Sequence, residues 1–120
     1  MLRYTKDHEW VRFENDVATV GISDHAQDTL GDITYVELPK IGKVVKKGDS
    51  LCVIESVKAA SDVYAPVGGK VATVNAALPD SPQTINCSPE SEGWICTLSE
   101  FSVAELEGLM TAEQYAAFCK

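Results

Sequence analysis

Glu55-Ser56-Val57-Lys58-Ala59-Ala60-Ser61-Asp62 is the stretch on which the reading of this chain turns. The apolar run Leu51-Cys52-Val53-Ile54 leads into it, and Val63-Tyr64-Ala65 leaves from its terminal acid. Both flanks have strand composition, and Pro66 ends the second or places it at a sheet edge. Two strands therefore meet in a turn with Lys58 at or near the tip, between side chains too small to shield it. A modifying enzyme could grip such a turn. Acylation of the amine would form an amide, delete one positive charge and leave a tethered arm. Position alone favours an ordinary solvated lysine, since most exposed lysines have no specific task.

Working outward, Trp10-Val11-Arg12-Phe13 and Val17-Ala18-Thr19-Val20-Gly21-Ile22, split at Glu14-Asn15-Asp16, predict a β-hairpin. Ser23 or Asp24 then caps a short helix through Leu30, with Gly31 placed to stop it. Ile33 to Leu38 reads as a strand ended by Pro39. On the far side, Gly68-Gly69-Lys70 turns into Val71-Ala72-Thr73-Val74, which repeats residues 17–20 letter for letter. A match of common strand residues is slight support for duplication. Residues 78–93, with Pro79, Pro82 and Pro89, read as loop, and Gly93 to Leu98 as a closing strand. Ser102-x-x-Glu105 and Thr111-x-x-Gln114 have the form of capping boxes. They predict two short helices broken near Gly108, with Val103, Leu106, Leu109, Tyr115 and Phe118 as the apolar positions that pack on the sheet. Many short strands with glycine turns favour a small antiparallel sandwich or barrel.

Composition narrows the function. At 120 residues the chain fits one domain, and 10 Lys+Arg against 18 Asp+Glu give a formal net charge of −8. That balance argues against nucleic acid, which needs clustered bases. The charge is also polarised: five lysines fall between positions 40 and 58, while Lys120 alone faces seven acids in residues 71–120. No long apolar stretch suits a membrane span, and neither a signal nor a transit peptide is expected. Cys52, Cys87, Cys96 and Cys119 show no C-x-x-C spacing, so reduced thiols in a cytoplasmic setting are expected. His8 and His25 are far in sequence from any cysteine pair, and no metal site is expected. With no phosphate loop, no nucleophile elbow and few histidines, an enzyme is not expected either.

The residues around Lys58 resemble the lipoyl-attachment turn of the glycine cleavage system H-protein family, and the likeness runs along the whole chain. His8-Glu9-Trp10 resembles the family's HEW segment, and Val20-Gly21-Ile22-Ser23-Asp24-His25-Ala26-Gln27 with Leu30-Gly31 is similar to its first helix and flanks. Tyr35-Val36-Glu37-Leu38-Pro39, Tyr64-Ala65-Pro66, Asn86, Pro89 and Gly93-Trp94 follow in family order. The resemblance implies a mainly β barrel-sandwich hybrid of the lipoyl/biotinyl-carrier kind, with one short helix in the N-terminal half and a C-terminal helical hairpin. One carrier domain over 1–120 is expected, its helices at 100–120 packed on it.

It further implies a carrier bearing lipoate in amide linkage on Lys58. In such proteins the arm takes up an aminomethyl group from glycine at a pyridoxal-phosphate glycine decarboxylase. A folate-dependent aminomethyltransferase removes that group, and dihydrolipoyl dehydrogenase reoxidises the dithiol. A lipoate-attaching enzyme would recognise the turn through Glu55, Ser56, Val57 and Ala59. By position, the family's shelter for the loaded arm falls on Asp7, His8 and Glu9 with Asp62. Carboxylates there would hold a cationic methylamine by charge-assisted hydrogen bonds. Glu9 and Asp62 match the family pattern, whereas Asp7 stands where the residue varies. Trp10 is read as either an apolar wall of that shelter or a core residue of its strand. His8 and His25 are expected to be structural or surface residues, and the protein a monomer.

Glu90-Ser91 departs from the tyrosine that many members carry after the proline, which bears on docking or shelter. Three rival readings stand beside the carrier. Lipoyl domains of oxo-acid dehydrogenases generally place Asp before the lysine and biotinyl domains place Met on both sides, whereas Val57 and Ala59 stand here. An H-like protein could instead relay lipoate to other lipoyl domains. The last rival is an unmodified acidic interaction module.

Overall fold

Asn15 and Asp16 both adopt left-handed backbone, φ 51° and 61°, which lets a tight turn match the right-handed twist of the strands it joins. Those strands are β2 (Glu9–Glu14) and β3 (Val17–Ile22), in register from Glu14↔Val17 to Glu9↔Ile22. In the computed structural model, which describes residues 1–119, they are preceded by β1 (Leu2–Tyr4) and followed by α1 (Asp24–Leu30). Then come β4 (Ile33–Glu37), β5 (Val44–Val45), β6 (Ser50–Ser56), β7 (Ala60–Tyr64) and β8 (Gly69–Val74). The chain closes with α2 (Thr84–Cys87), β9 (Cys96–Ser99), α3 (Val103–Glu107) and α4 (Ala112–Phe118). Lys120, the base counted above in the acidic half, lies outside the described residues.

The strands form two antiparallel sheets, one six-stranded in the order β1-β2-β3-β9-β8-β5 and one three-stranded in the order β4-β6-β7. Their facing sides share one core: Val11, Val20 and Leu98 come from the larger sheet, and Val36, Ile54 and Val63 from the smaller. The two Val-Ala-Thr-Val segments flank the same strand. Residues 18–20 pair with 98–96 on one side of β9, and residues 71–74 pair with 98–96 on the other.

A second, smaller cluster joins the C-terminus to the sheet. Tyr4, Trp10 and Tyr115 are buried together, the two tyrosine rings stacked 4.2 Å apart. Tyr4 and Met110 exchange backbone hydrogen bonds of 2.8 and 3.0 Å, which pins the segment entering α4 beside β1. Trp10 has no exposed surface, and Gly21 opposite it has no room for a side chain, since a Cβ there would stand 2.6 Å from the indole.

Several expectations are corrected. Residues 78–93 are not all loop, because Thr84–Cys87 forms a helical turn with Ile85 buried. The closing strand begins at Cys96 rather than Gly93. The Thr111 capping box is complete, but the Ser102 side chain makes no cap bond. Glu105, its intended partner, instead accepts the Gly68 N–H at 2.8 Å. Leu106 and Tyr115 are buried, whereas Val103 and Phe118 remain exposed at 46% and 45%.

Candidate functional site

The turn between β6 and β7 is held by Ser56. Its hydroxyl donates to the Ala59 carbonyl at 3.2 Å and accepts the N–H groups of Lys58 and Ala59, each at 3.2 Å. The Ser56 N–H also donates to Ala59 O, and Val57 N–H donates to Asp32 O beyond the end of α1. Glu55, Val57, Lys58 and Ala59 are all exposed, Val57 at 66%. The Lys58 stem lies along Gly31, where a Cβ would stand 3.4 Å from Cε. Gly31 itself takes φ 78°, the left-handed conformation that ends α1 and which glycine adopts without a steric penalty. At the end of its stem the Lys58 ammonium donates to the Thr29 carbonyl at 3.4 Å.

Thr29 also lines a cavity of about 200 Å³ between α1, the segment entering β2, and β7. Asp7, His8, Glu9 and Asp62 all line the same cavity, so the fold gathers the residues expected to shelter an arm. Glu9 is only 2% exposed. Its carboxylate accepts from the Thr5 hydroxyl at 2.7 Å and from the Tyr64 N–H at 3.3 Å. Burial pushes this carboxyl up to about 7; the bonds from Thr5 and Tyr64 pull the other way, and Asp7 pushes further up. Asp62 is exposed and accepts from the Ser50 hydroxyl at 3.1 Å. Burial, and then the neighbouring His25, make His8 less basic than an ordinary histidine. Glu9 borders a second cleft of about 260 Å³ as well, beside Lys47 and Tyr64, but Thr29 faces only the smaller one.

Residues 2–120 match the family model described as glycine cleavage H-protein. The chain belongs to the glycine cleavage H-protein family. It is 55% identical over 117 residues to the glycine cleavage system H protein of Caulobacter vibrioides, covering 98% of this chain and 97% of that one. To the Thermotoga maritima protein of the same name it is 52% identical over 119 residues, covering 99% and 96%. The crystal structure of a glycine cleavage system H protein from Mycobacterium marinum superposes with a TM-score of 0.87 at 35% identity, covering 97% of this chain and 94% of that one. The expected fold is therefore the observed one, and the function is that of this family, a lipoyl carrier in glycine cleavage.

Within that family frame the structure decides between the two readings of Trp10 and gives Glu90 a defined place. Trp10 forms no cavity wall; it is a core residue whose indole N–H donates to Pro89 O at 3.0 Å. Glu90 is half-buried. Its carboxylate accepts the Tyr4 hydroxyl and, at 3.1 Å, the Asp24 N–H at the start of α1. Sequence reasoning missed Thr29, which is unremarkable in a helix; the signal was its place two residues before the glycine that ends α1. It also missed that His8 and His25 stack, ring centroids 4.3 Å apart, with Cys119 beside them. Cys52 and Cys96 are buried, which raises both thiols, Cys96 to about 12, and leaves them unreactive. Among the described residues, no helix is long and apolar enough to cross a membrane.

Proposed function

We propose that this chain carries lipoate in amide linkage on Lys58, acts without catalysing, and works as a single carrier domain over residues 1–120 in the cytoplasm. The observation that carries this reading is the line from Lys58 to the Thr29 carbonyl and on into the cavity walled by Glu9 and Asp62. The fit to lipoate rests on three features: an exposed amine on a small-residue turn, a glycine along which the stem lies, and acids at the end of the path. Bound lipoate supplies a dithiolane able to accept an aminomethyl group with reduction of the disulfide.

The remaining chemistry belongs to this chain. Ser56 holds the turn so that Glu55, Val57, Lys58 and Ala59 face an attaching enzyme. Glu9 and Asp62 accept hydrogen bonds from a cationic amine placed in the cavity. A cation beside Glu9 lowers the pKa that burial had raised, so the carboxylate ionises as the amine arrives. Asp7 adds negative charge at the mouth, and a weakly basic His8 stays neutral and does not repel the cation. The partners assigned are a pyridoxal-phosphate glycine decarboxylase, a folate-dependent aminomethyltransferase, dihydrolipoyl dehydrogenase and a lipoate-attaching enzyme. A tether on Lys58 raises the arm's effective concentration at each docked partner.

Peptide-resolved mass spectrometry of Lys58, on protein from its own cells, tests the attachment. A lipoyl increment is expected at Lys58 and none in Lys58→Arg, which keeps the charge but offers no acylable amine. Transfer retained by Lys58→Arg overturns the assignment. Glycine–bicarbonate exchange with the partner enzymes separates glycine cleavage from lipoate relay, since a relay supports no exchange.

A further inference from the structure

We propose that His8, His25 and Cys119 form a binding site for a borderline-soft divalent metal ion of the zinc class. The three come from separate parts of the chain: the turn before β2, helix α1 and the residue that follows α4. Their ligand atoms nevertheless lie within 4.8 Å of one another. Tetrahedral zinc, with nitrogen at about 2.0–2.1 Å and sulfur at about 2.3 Å, needs ligand atoms roughly 3.3–3.7 Å apart. The largest gap therefore closes by about 1 Å. The His8 and His25 rings stack 4.3 Å apart, so binding also turns the exposed His25 out of that stack to aim a nitrogen at the ion, and rotation of Cys119, beyond the last residue of α4, closes the rest.

The third ligand is already fixed. His8 takes φ 68°, a left-handed backbone unusual outside glycine. Its N–H donates to Thr5 O at 3.2 Å, and its carbonyl accepts the Ser23 N–H at 2.9 Å. The imidazole Nδ1 lies 2.6 Å from the Tyr115 hydroxyl, which lies 2.6 Å from Ser23 Oγ in turn. With metal on Nε2, Nδ1–H donates to the Tyr115 oxygen and the Tyr115 hydroxyl donates on to Ser23. A metal-bound histidine is ordinarily oriented by such a bond from its second nitrogen. Phe118 and Tyr115 shield one side, their rings 5.9 and 5.7 Å from His8. His8 and His25 also line the 200 Å³ cavity, which provides an entry path and room for a water as fourth ligand. Two imidazoles and a thiolate select zinc-class ions over magnesium or calcium.

The site requires no lipoyl group, and because an ion on His8 would repel a cationic amine in the cavity they share, metal and loaded arm exclude one another. The test uses the full-length reduced chain with Lys58 unmodified, titrated with Zn²⁺ against a chromogenic chelator. One equivalent should bind. Loss of a residue that merely orients a ligand costs about 10–100-fold in affinity, so Cys119→Ser and His25→Gln should each weaken binding by at least that much. Cys87→Ser, at an exposed thiol outside the cluster, should match the parent. Co²⁺ should give a thiolate-to-metal charge-transfer band that disappears in Cys119→Ser. A measurement free of any variant follows alkylation of each cysteine in the parent chain: Zn²⁺ should protect Cys119 and leave Cys87 unprotected, and Mg²⁺ should protect neither. Equal Zn²⁺ affinity in Cys119→Ser and His25→Gln overturns the proposal, as does an unprotected Cys119.

Discussion

Glu9 is the acidic side chain buried among the described residues, and its effects on stability and on amine binding run in opposite directions with pH. Its carboxyl rises from an ordinary 4.5 to about 7 in the folded protein, so between those values the folded state holds a proton that the unfolded state has lost. Stability from this group is complete below about 4.5 and is lost as pH rises through about 7, with a slope of at most about 1.4 kcal/mol per pH unit. Urea midpoints measured from pH 5 to 8 should fall for the parent and stay flatter for Glu9→Gln. Binding a cationic amine runs the other way, because it requires the carboxylate. The groups facing Glu9 are Asp7, Thr5 and the Tyr64 N–H, with His8 and Asp62 on the same cavity and Lys6 and Lys47 on the second cleft. The lifetime of an aminomethyl-loaded arm should therefore lengthen several-fold from pH 6 to 8 in the parent, and should be short and nearly pH-independent in Glu9→Gln. Equal lifetimes in the two proteins would remove Glu9 from the site.

At the scale of elements, two capping motifs of the same form behave differently. Thr111 accepts the Gln114 N–H at 3.2 Å, and the Gln114 side chain accepts the Thr111 N–H at 2.9 Å. Thr111→Ala should cost about 1 kcal/mol in chemical denaturation. Ser102→Ala should stay within about 0.5 kcal/mol of the parent, because no cap bond exists to lose. The β6–β7 turn carries a functional counterpart. Ser56→Ala removes the hydroxyl that ties Lys58 and Ala59 together while leaving the strands paired. Lipoylation in vitro should slow several-fold, with the thermal midpoint nearly unchanged. An unaltered rate would mean that the attaching enzyme shapes the turn for itself.

For the molecule as a whole, β9 is the strand through which both halves of the larger sheet are joined. Leu98 pairs with Ala18 on one side and Val71 on the other and has no exposed surface. Leu98→Ala should cost about 2–5 kcal/mol in urea denaturation, since the strands on both sides restrict how far the cavity can collapse. The two Val-Ala-Thr-Val copies meet this strand differently: Ala18 faces Leu98 on one side, while on the other Val71 does and the register shifts before Thr73.

The sequence by itself determined the features that act over a few residues. Asn15-Asp16 makes a left-handed turn, α1 starts at Ser23-Asp24, Gly31 stops it, and small residues leave Lys58 exposed. Turn and cap preferences are local, so they survive whatever the rest of the chain does. The tertiary structure decided which distant groups meet. Thr29, Glu9 and Asp62 share a cavity because α1, the segment entering β2, and β7 border it together, and His8 meets His25 and Cys119 because Tyr115 docks α4 onto Tyr4. Glu105 left its local motif for the Gly68 N–H, and Trp10 turned into the core where Gly21 makes room. Each of these depends on burial and on competition for partners between segments far apart in sequence, which no short stretch of the chain encodes.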